Sequence, residues 1–380
     1  MTMSLTIENL PLYWRFIKKI EQHQKIPEAM DFTFAYDPEL FLYIEPRETS
    51  LLKILENIYI ENANIGYMID GNNLANTYGS EYLLFLRSIL GDLSKRKIVD
   101  VGCGGCVMLE KLMSEGASVL GVDPSPVAQW AAQKKGIPLI PSFLGPDTLT
   151  GYYPDAIIQM DVLEHISDPV ELLRHEAKAI TSDGKIIINV PNCEPSILLG
   201  DISMAIHQHV NMFTRRSLAR VVEAAGLYVE EMRCSQIGSA LFCVASKARI
   251  NKKFASDDFI KFDNAWDTFQ SMAMDRIERF RRFFSCHDFY DIGYFIFQRS
   301  LPYLCAIHSP IDGRFFDNNS LWHGNYLDGI PAKVENQADF IANPTKNLLI
   351  FSLSFANSLK QQLMKESPGT EIYTQSDVFS

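Results

Sequence analysis

From Lys97 to Lys247, short β-branched apolar runs alternate with stretches of helical spacing, and this alternation restricts the fold more than any other feature of the chain. The runs are KIVDV (97–101), SVLGV (118–122), PLI (138–140), AIIQM (156–160) and KIIINV (185–190), with helical spacing between them at 106–115, 126–135 and 168–180. Strands alternating with helices predict a parallel sheet covered on both faces. The runs are continuously apolar, as strands buried on both sides must be. TRRSLARVVEAAG (214–226) predicts a further helix, with Thr214 as N-cap and Gly226 as C-cap. LYVEEMRC and SALFCVASK read as a closing pair of strands.

The flanks have different patterns. Residues 1–94 read as a helical N-terminal cap: RETSLLKILENIYI, with Thr49 or Ser50 as N-cap, and YGSEYLLFLRSILGDL both place apolar residues at helical spacing. Residues 95–250 form the central α/β domain, and 251–380 a long helix followed by a small α/β domain. In that helix Phe259, Phe262, Trp266, Phe269, Ala273, Ile277, Phe280 and Phe284 recur every three or four residues. This seam packs on its own protein or, as the sharper alternative, serves a homodimer through 257–285. NLLIFSL, SFANSLKQQLMKE and TEIYT then read as strand, helix and strand.

Bulk properties narrow the function. A net charge of -11 disfavours nucleic acid as partner. No apolar run approaches the roughly 18 residues a membrane span needs. MTMSLTIENLPLYWRF has no basic segment followed by an apolar core, so no secretory leader is expected. Seven scattered cysteines suit a reducing, cytoplasmic setting.

The first predicted strand runs into DVGCGGC (100–106). Cys103 and Cys106 have the spacing of a redox or zinc pair. No second C-x-x-C and no H-x₃₋₅-H pair accompany them, so no metal is expected, and no thioredoxin-like context surrounds them. The alternative is a glycine turn into a helix, which lets a ligand approach the backbone closely and offers it free N–H groups. Asp123, ending the next strand, can accept hydrogen bonds from both hydroxyls of a ribose. Asp100, immediately before the glycines, would repel a pyrophosphate and suits a ligand carrying a free α-amino group. Position 107 is Val, so the last glycine of G-x-G-x-x-G is missing. These details favour S-adenosylmethionine over a dinucleotide.

KIVDVGCGGCVMLEKL, ASVLGVDPSP, QMDVLEHISDPVELLRHEAKAITSDGKIIINVPN and HQHVNMFTRRSLARVVEAAGLYV together resemble the class I S-adenosylmethionine-dependent methyltransferases over about 97–247. The resemblance implies a Rossmann-like, mostly parallel seven-stranded sheet. It implies that Gly102 and Gly104 pass under the methionine part of the cofactor and that Asp100 lies near its amino group. Asp123 would hold the ribose, and Pro124 and Ser125 would lie near the adenine, with Ser142 or Phe143 at its edge. Asp161 and Val162 would line the floor beneath the sulfonium. Cys106 departs from the pattern, standing where the family usually has a third glycine, and would narrow the pocket.

Methyl transfer is an in-line displacement that must align the acceptor and, for a hydroxyl or carbon acid, remove a proton. His165 follows the fourth strand, at the carboxyl edge where open α/β sheets bind ligands. His207 and His209 in AIHQHVNMF would face opposite ways in an extended segment, so that one serves while the other packs. This stretch resembles the His-Glu-His of sugar C-methyltransferases, but Gln208 replaces the Glu and cannot take a proton, which favours a hydroxyl acceptor. Tyr67 and Tyr78 are weaker candidates on the substrate side. Asp317, followed by Gly324, Leu327, Gly329 and Pro331, resembles the small Rossmann-like domain appended to sugar-nucleotide and glycan methyltransferases, though the glycine-rich turn expected before that strand is missing. The expected partner is a small molecule, with a sugar nucleotide or glycan precursor favoured.

Overall fold

In the computed structural model of the chain, the alternating region forms one seven-stranded sheet. Its strands are β1 (Lys97–Val101), β2 (Ser118–Val122), β3 (Leu139–Ile140), β4 (Ala156–Met160), β5 (Lys185–Pro191), β6 (Tyr228–Cys234) and β7 (Ala240–Ser246). Their spatial order is β3-β2-β1-β4-β5-β7-β6. Neighbours from β3 to β5 are parallel, whereas β7 runs antiparallel to both β5 and β6. The structure describes all residues except 1–3, 13–14, 21–22, 62–72, 237–238, 249–253, 255–258, 260–264, 288, 290, 321, 328, 331 and 353–355, and the side chains of 73–76.

Adjacent residues of one strand serve opposite cores, because side chains alternate across a sheet. Val99, Ile157, Ile186 and Ile188 enter one core with Leu172, Leu173, Leu218 and Val222. Ile98, Val119, Ile158 and Ile187 enter the other with Tyr82, Leu86, Leu109 and Ala131. The helices supplying these partners are α2 (Asn73–Leu90), α3 (Val107–Ser114), α4 (Pro126–Lys135), α5 (Pro169–Ala179) and α6 (Arg215–Ala224), preceded by α1 (Thr49–Ile60). Local signals set their ends. Ser125 Oγ accepts the Ala128 N–H ahead of Pro126, and α4 stops at Gly136 with φ 65°. Asp168 accepts the Glu171 N–H to start α5, and Thr214 and Ser217 cap α6 reciprocally. Ala225 is the C-cap residue of α6, with Gly226 following at φ 80°. The N-cap of α1 is Glu48, without a side-chain bond, so Thr49 and Ser50 lie inside that helix.

The helical reading of residues 1–94 holds only for its second half. Leu5–Pro11, Phe16–Ile17, Ala29–Asp37 and Leu42–Ile44 are strands. Leu5 pairs with Phe34 and Ile7 with Phe32, and all four are buried, while Thr6 and Thr33 on the other face join hydroxyls at 3.0 Å. LTI and FTF therefore alternate with period two, the signature of a half-buried strand.

The expected division at 94 and 250 is also corrected. By contacts the chain forms two units assembled from separate stretches: one from 35–194 and 208–263, which holds the seven-stranded sheet, the other from 1–34, 195–207 and 264–380. Within the second, five parallel strands stand in the order Val334–Glu335, Arg314–Phe316, Ile292–Phe295, Asn347–Ile350, Glu371–Thr374. The helix Ala265–Cys286 buries Phe269, Ala273, Ile277 and Phe280. Phe269 meets Phe34, and Phe280 meets Tyr303, Phe351 and Phe379, so these seam residues pack within their own unit, the first of the two readings. Phe262 lies outside the described residues, and Phe259 precedes the helix. Among the described residues no helix is long and apolar enough to cross a membrane.

Candidate functional site

The strand order reverses between β1 and β4, and in an open α/β sheet the crevice outside the carboxyl ends of such strands binds the ligand. The segments that leave these two strands carry the glycine loop and the DVLEH sequence.

Gly102 and Gly104 both adopt positive φ, 71° and 47°. A Cβ on Gly102 would lie 2.5 Å from Val162 Cγ2, whereas one on Gly104 would meet nothing within 4 Å. Gly102 therefore lets the loop close onto Val162, and Gly104 faces open space. Asp123 is buried at the end of β2. One of its carboxylate oxygens accepts the Gly104 N–H and the other the Ser125 N–H, both at 2.8 Å. Two acceptor positions are thus used in fixing the loop, and the remaining lone pairs can take ribose hydroxyls. Asp100 is 4% exposed, and burial, with Cys106 and Asp123 nearby, raises its carboxyl well above the ordinary range. An ammonium group on a ligand would restore its ionised form.

Cys103 and Cys106 are buried, their sulfurs 3.8 Å apart. Cys103 Sγ lies 2.7 Å from where a Cβ on Gly121 would stand, so Cys103 fills the space that Gly121 leaves. Cys106 has φ 57° and is wholly buried, its sulfur 3.9 Å from the Ala128 carbonyl oxygen. The left-handed backbone explains why a glycine is usual here. The thiol packs into the core, which corrects the expectation that it narrows the pocket.

After β4, Asp161 takes φ 55°, and burial raises its carboxyl to about 6. The Tyr78 hydroxyl lies 3.1 Å from Asp161 Oδ1 and 2.8 Å from Asn189 Oδ1. A 3₁₀ turn, Leu163–His165, follows. Asn211 clamps it, donating to the carbonyls of Leu163 and Ile166 at 3.0 and 2.7 Å, while Arg47 donates to Asn211 Oδ1 at 2.6 Å. Within the turn Glu164 is 1% exposed. Burial and then Asp161 push its carboxyl well up. His165 Nδ1 stands 2.6 Å from the Gln208 carbonyl oxygen and so donates its proton there, which leaves the Nε2 lone pair free of that proton. Burial lowers His165 to about 4, so the ring is neutral at pH 7.

The structure brings His165 and His209 together, ring centroids 4.9 Å apart at 65°. His207 lies elsewhere, in the other unit. It is 2% exposed, its Nε2 3.3 Å from the Met30 carbonyl oxygen and its ring tilted against Phe32. Ser125 serves α4 as its cap, Pro124 and Ser142 are half-buried, and Phe143 is 49% exposed. Tyr67 and Pro331 lie outside the described residues. In the five-stranded sheet Asp317 follows Phe316, and burial raises its carboxyl to about 6. Its Oδ1 accepts the Asn319 N–H at 2.8 Å. Sequence reasoning passed over Glu164, Asn189, Asn211 and Arg47. A signal existed for the first three: each is a polar residue inside an apolar stretch.

A family model described as a methyltransferase domain matches residues 75–232. The ubiquinone biosynthesis O-methyltransferase of Aeromonas salmonicida is 30% identical over 159 residues, 37% of this chain and 67% of that protein. The enzyme of the same name from Nitrosomonas europaea is 28% identical over 165 residues, 38% of this chain and 69% of that protein. Among solved structures, the 1,6-didemethyltoxoflavin-N1-methyltransferase of Burkholderia thailandensis is 18% identical with a TM-score of 0.42, covering 57% of this chain and 99% of that one. The two curated relatives are named for ubiquinone, not for sugars or glycans. The glycine loop, the acidic end of β2, the sheet order, the family model and the curated relatives agree: the chain belongs to the class I S-adenosylmethionine-dependent methyltransferases.

Proposed function

We propose that the chain transfers the methyl group of S-adenosylmethionine to a hydroxyl oxygen of a small molecule. The observation that carries this reading is the pairing of His165 with His209 at the carboxyl edge of β4, one short turn beyond the Val162 that closes on Gly102. Gly102, Gly104, Asp100 and Asp123 hold the cofactor, and the imidazole pair acts on the acceptor hydroxyl as its oxygen attacks the methyl carbon. The O-methyltransferase relatives support an oxygen acceptor, and Gln208 in place of a carboxylate weighs against a carbon acid.

A sugar nucleotide is the second acceptor class. It is favoured by the five-stranded parallel sheet, whose order also reverses at its centre, and by half-buried Asp317 at the end of its second strand. Incubation with methyl-labelled S-adenosylmethionine and a panel of phenols and sugar nucleotides, read by product mass spectrometry, tests both. O-methyl product from either class supports the hydroxyl reading; label found only on carbon or nitrogen contradicts it. His209→Ala is expected to reduce turnover at least a hundredfold and to bind S-adenosylmethionine within twofold of the parent by calorimetry.

A further inference from the structure

Both carboxylate oxygens of Glu164 are buried without a hydrogen-bond partner, and so is the hydroxyl of Tyr59, whose ring meets His165 edge-on at 5.8 Å. Buried polar groups are nearly always paired, and each exception asks for an explanation. The explanation lies next to them. One ligand atom from each of Glu164, His165 and His209 lies within 4.8 Å of the other two. His165 Nε2 is 3.7 Å from Glu164 Oε1, and its Nδ1–H is held by the Gln208 carbonyl. A hydrogen bond of this kind is the one metal-binding histidines typically make: it orients the ring and leaves Nε2 as the donor. Asn211 and Arg47 fix the turn that carries Glu164 and His165. Donors at about 2.1 Å from a tetrahedral centre stand about 3.4 Å apart, close to the 3.7 Å between His165 Nε2 and Glu164 Oε1.

We propose that Glu164, His165 and His209 bind a divalent transition-metal cation. Two imidazoles and one carboxylate suit zinc, iron or manganese better than calcium or magnesium, which prefer all-oxygen shells. The inference rests on the hydroxyl acceptor proposed above and deepens it, because the imidazoles then act on the hydroxyl through the cation. The acceptor oxygen takes an open coordination position, and its O–H bond breaks with the proton passing to solvent water. An O–CH₃ bond then forms as the S–CH₃ bond breaks, its electron pair returning to sulfur and releasing S-adenosylhomocysteine.

The test uses the whole 380-residue chain, untagged and stripped with a chelator, titrated with zinc chloride by calorimetry. One zinc per chain is expected, weakened at least tenfold in Glu164→Gln and in His209→Ala, while S-adenosylmethionine binding stays within twofold in each. Absence of saturable zinc binding, or equal binding by the parent and both variants, overturns the site. Should Glu164→Gln fail to fold, half-buried His209→Ala carries the comparison alone. Turnover lost on chelation and restored by zinc or manganese supports the mechanism; O-methylation unaffected by chelation contradicts the cation while leaving the hydroxyl reading standing. Zinc binding with no O-methyl product from either acceptor class contradicts the hydroxyl reading instead.

Discussion

At the scale of single residues, the loop after β1 assigns different tasks to two similar glycines. Gly102→Ala puts a Cβ 2.5 Å from Val162 Cγ2 at a positive φ, whereas Gly104→Ala meets only the conformational penalty, about 1–2 kcal/mol for an L-residue. Gly102→Ala is therefore expected to weaken S-adenosylmethionine binding at least tenfold and to lower the melting temperature more than Gly104→Ala does. Adding Val162→Ala should recover part of both losses. Equal effects of the two alanines, read by calorimetry and thermal melting, contradict the close contact. The positive φ of Gly102 and Gly104 and the buried acids Asp100 and Asp123 beside them were legible in the sequence because these features depend on neighbours along the chain. Glu164, His165 and His209 as a group were not, since Glu164 and His209 meet only after β5 and the segment beyond it fold back. Cys106 was legible as a departure from the pattern, but the burial of its thiol on a left-handed backbone was not.

At the scale of elements, the contact between β4 and α5 carries a pH dependence. Gln159 and Glu176 are fully buried, and the Gln159 amide donates to both Glu176 oxygens at 3.0 and 2.9 Å. Burial raises Glu176 from 4.5 to about 8. An acid whose folded pKa exceeds its unfolded one stabilises the fold below the unfolded value and loses that contribution as pH rises toward the folded value. Between pH 5 and 8 this group should lower stability by at most about 1.4 kcal/mol per pH unit. Glu176→Gln should flatten that slope in denaturant melts at pH 5, 6.5 and 8; an unchanged slope contradicts the assignment. In the helix Ala265–Cys286, Phe280 is wholly buried among Tyr303, Phe351 and Phe379. Phe280→Ala should cost about 3–5 kcal/mol and leave the mass measured by light scattering unchanged, whereas a fall in mass would restore the dimer seam. Sheet and helices from 97 to 247 were legible because apolar runs and caps are local. The strands at 5–11 and 29–37 were missed because helical spacing in the following segment dominated the reading.

At the scale of the whole molecule, the division of the chain was the least legible feature. One unit gathers 1–34, 195–207 and 264–380, and no local pattern reports that stretches so far apart share a core. The same discontinuity separates His207 from His209, placing one in each unit. Sequence spacing had suggested opposite orientations for these two, and the structure adds that only His209 stands with His165. The family, by contrast, was legible from the chain alone, because a glycine turn flanked by two acidic strand ends and followed by DVLEH is a dense local combination. The most direct measurement is therefore a calorimetric titration of the 380-residue chain and of Asp123→Ala with S-adenosylhomocysteine, and with NAD in parallel. Saturable binding of S-adenosylhomocysteine, weakened at least tenfold by Asp123→Ala and accompanied by no response to NAD, is predicted. Binding of NAD in its place, or equal affinity of Asp123→Ala and the parent chain for S-adenosylhomocysteine, would contradict the cofactor site described above.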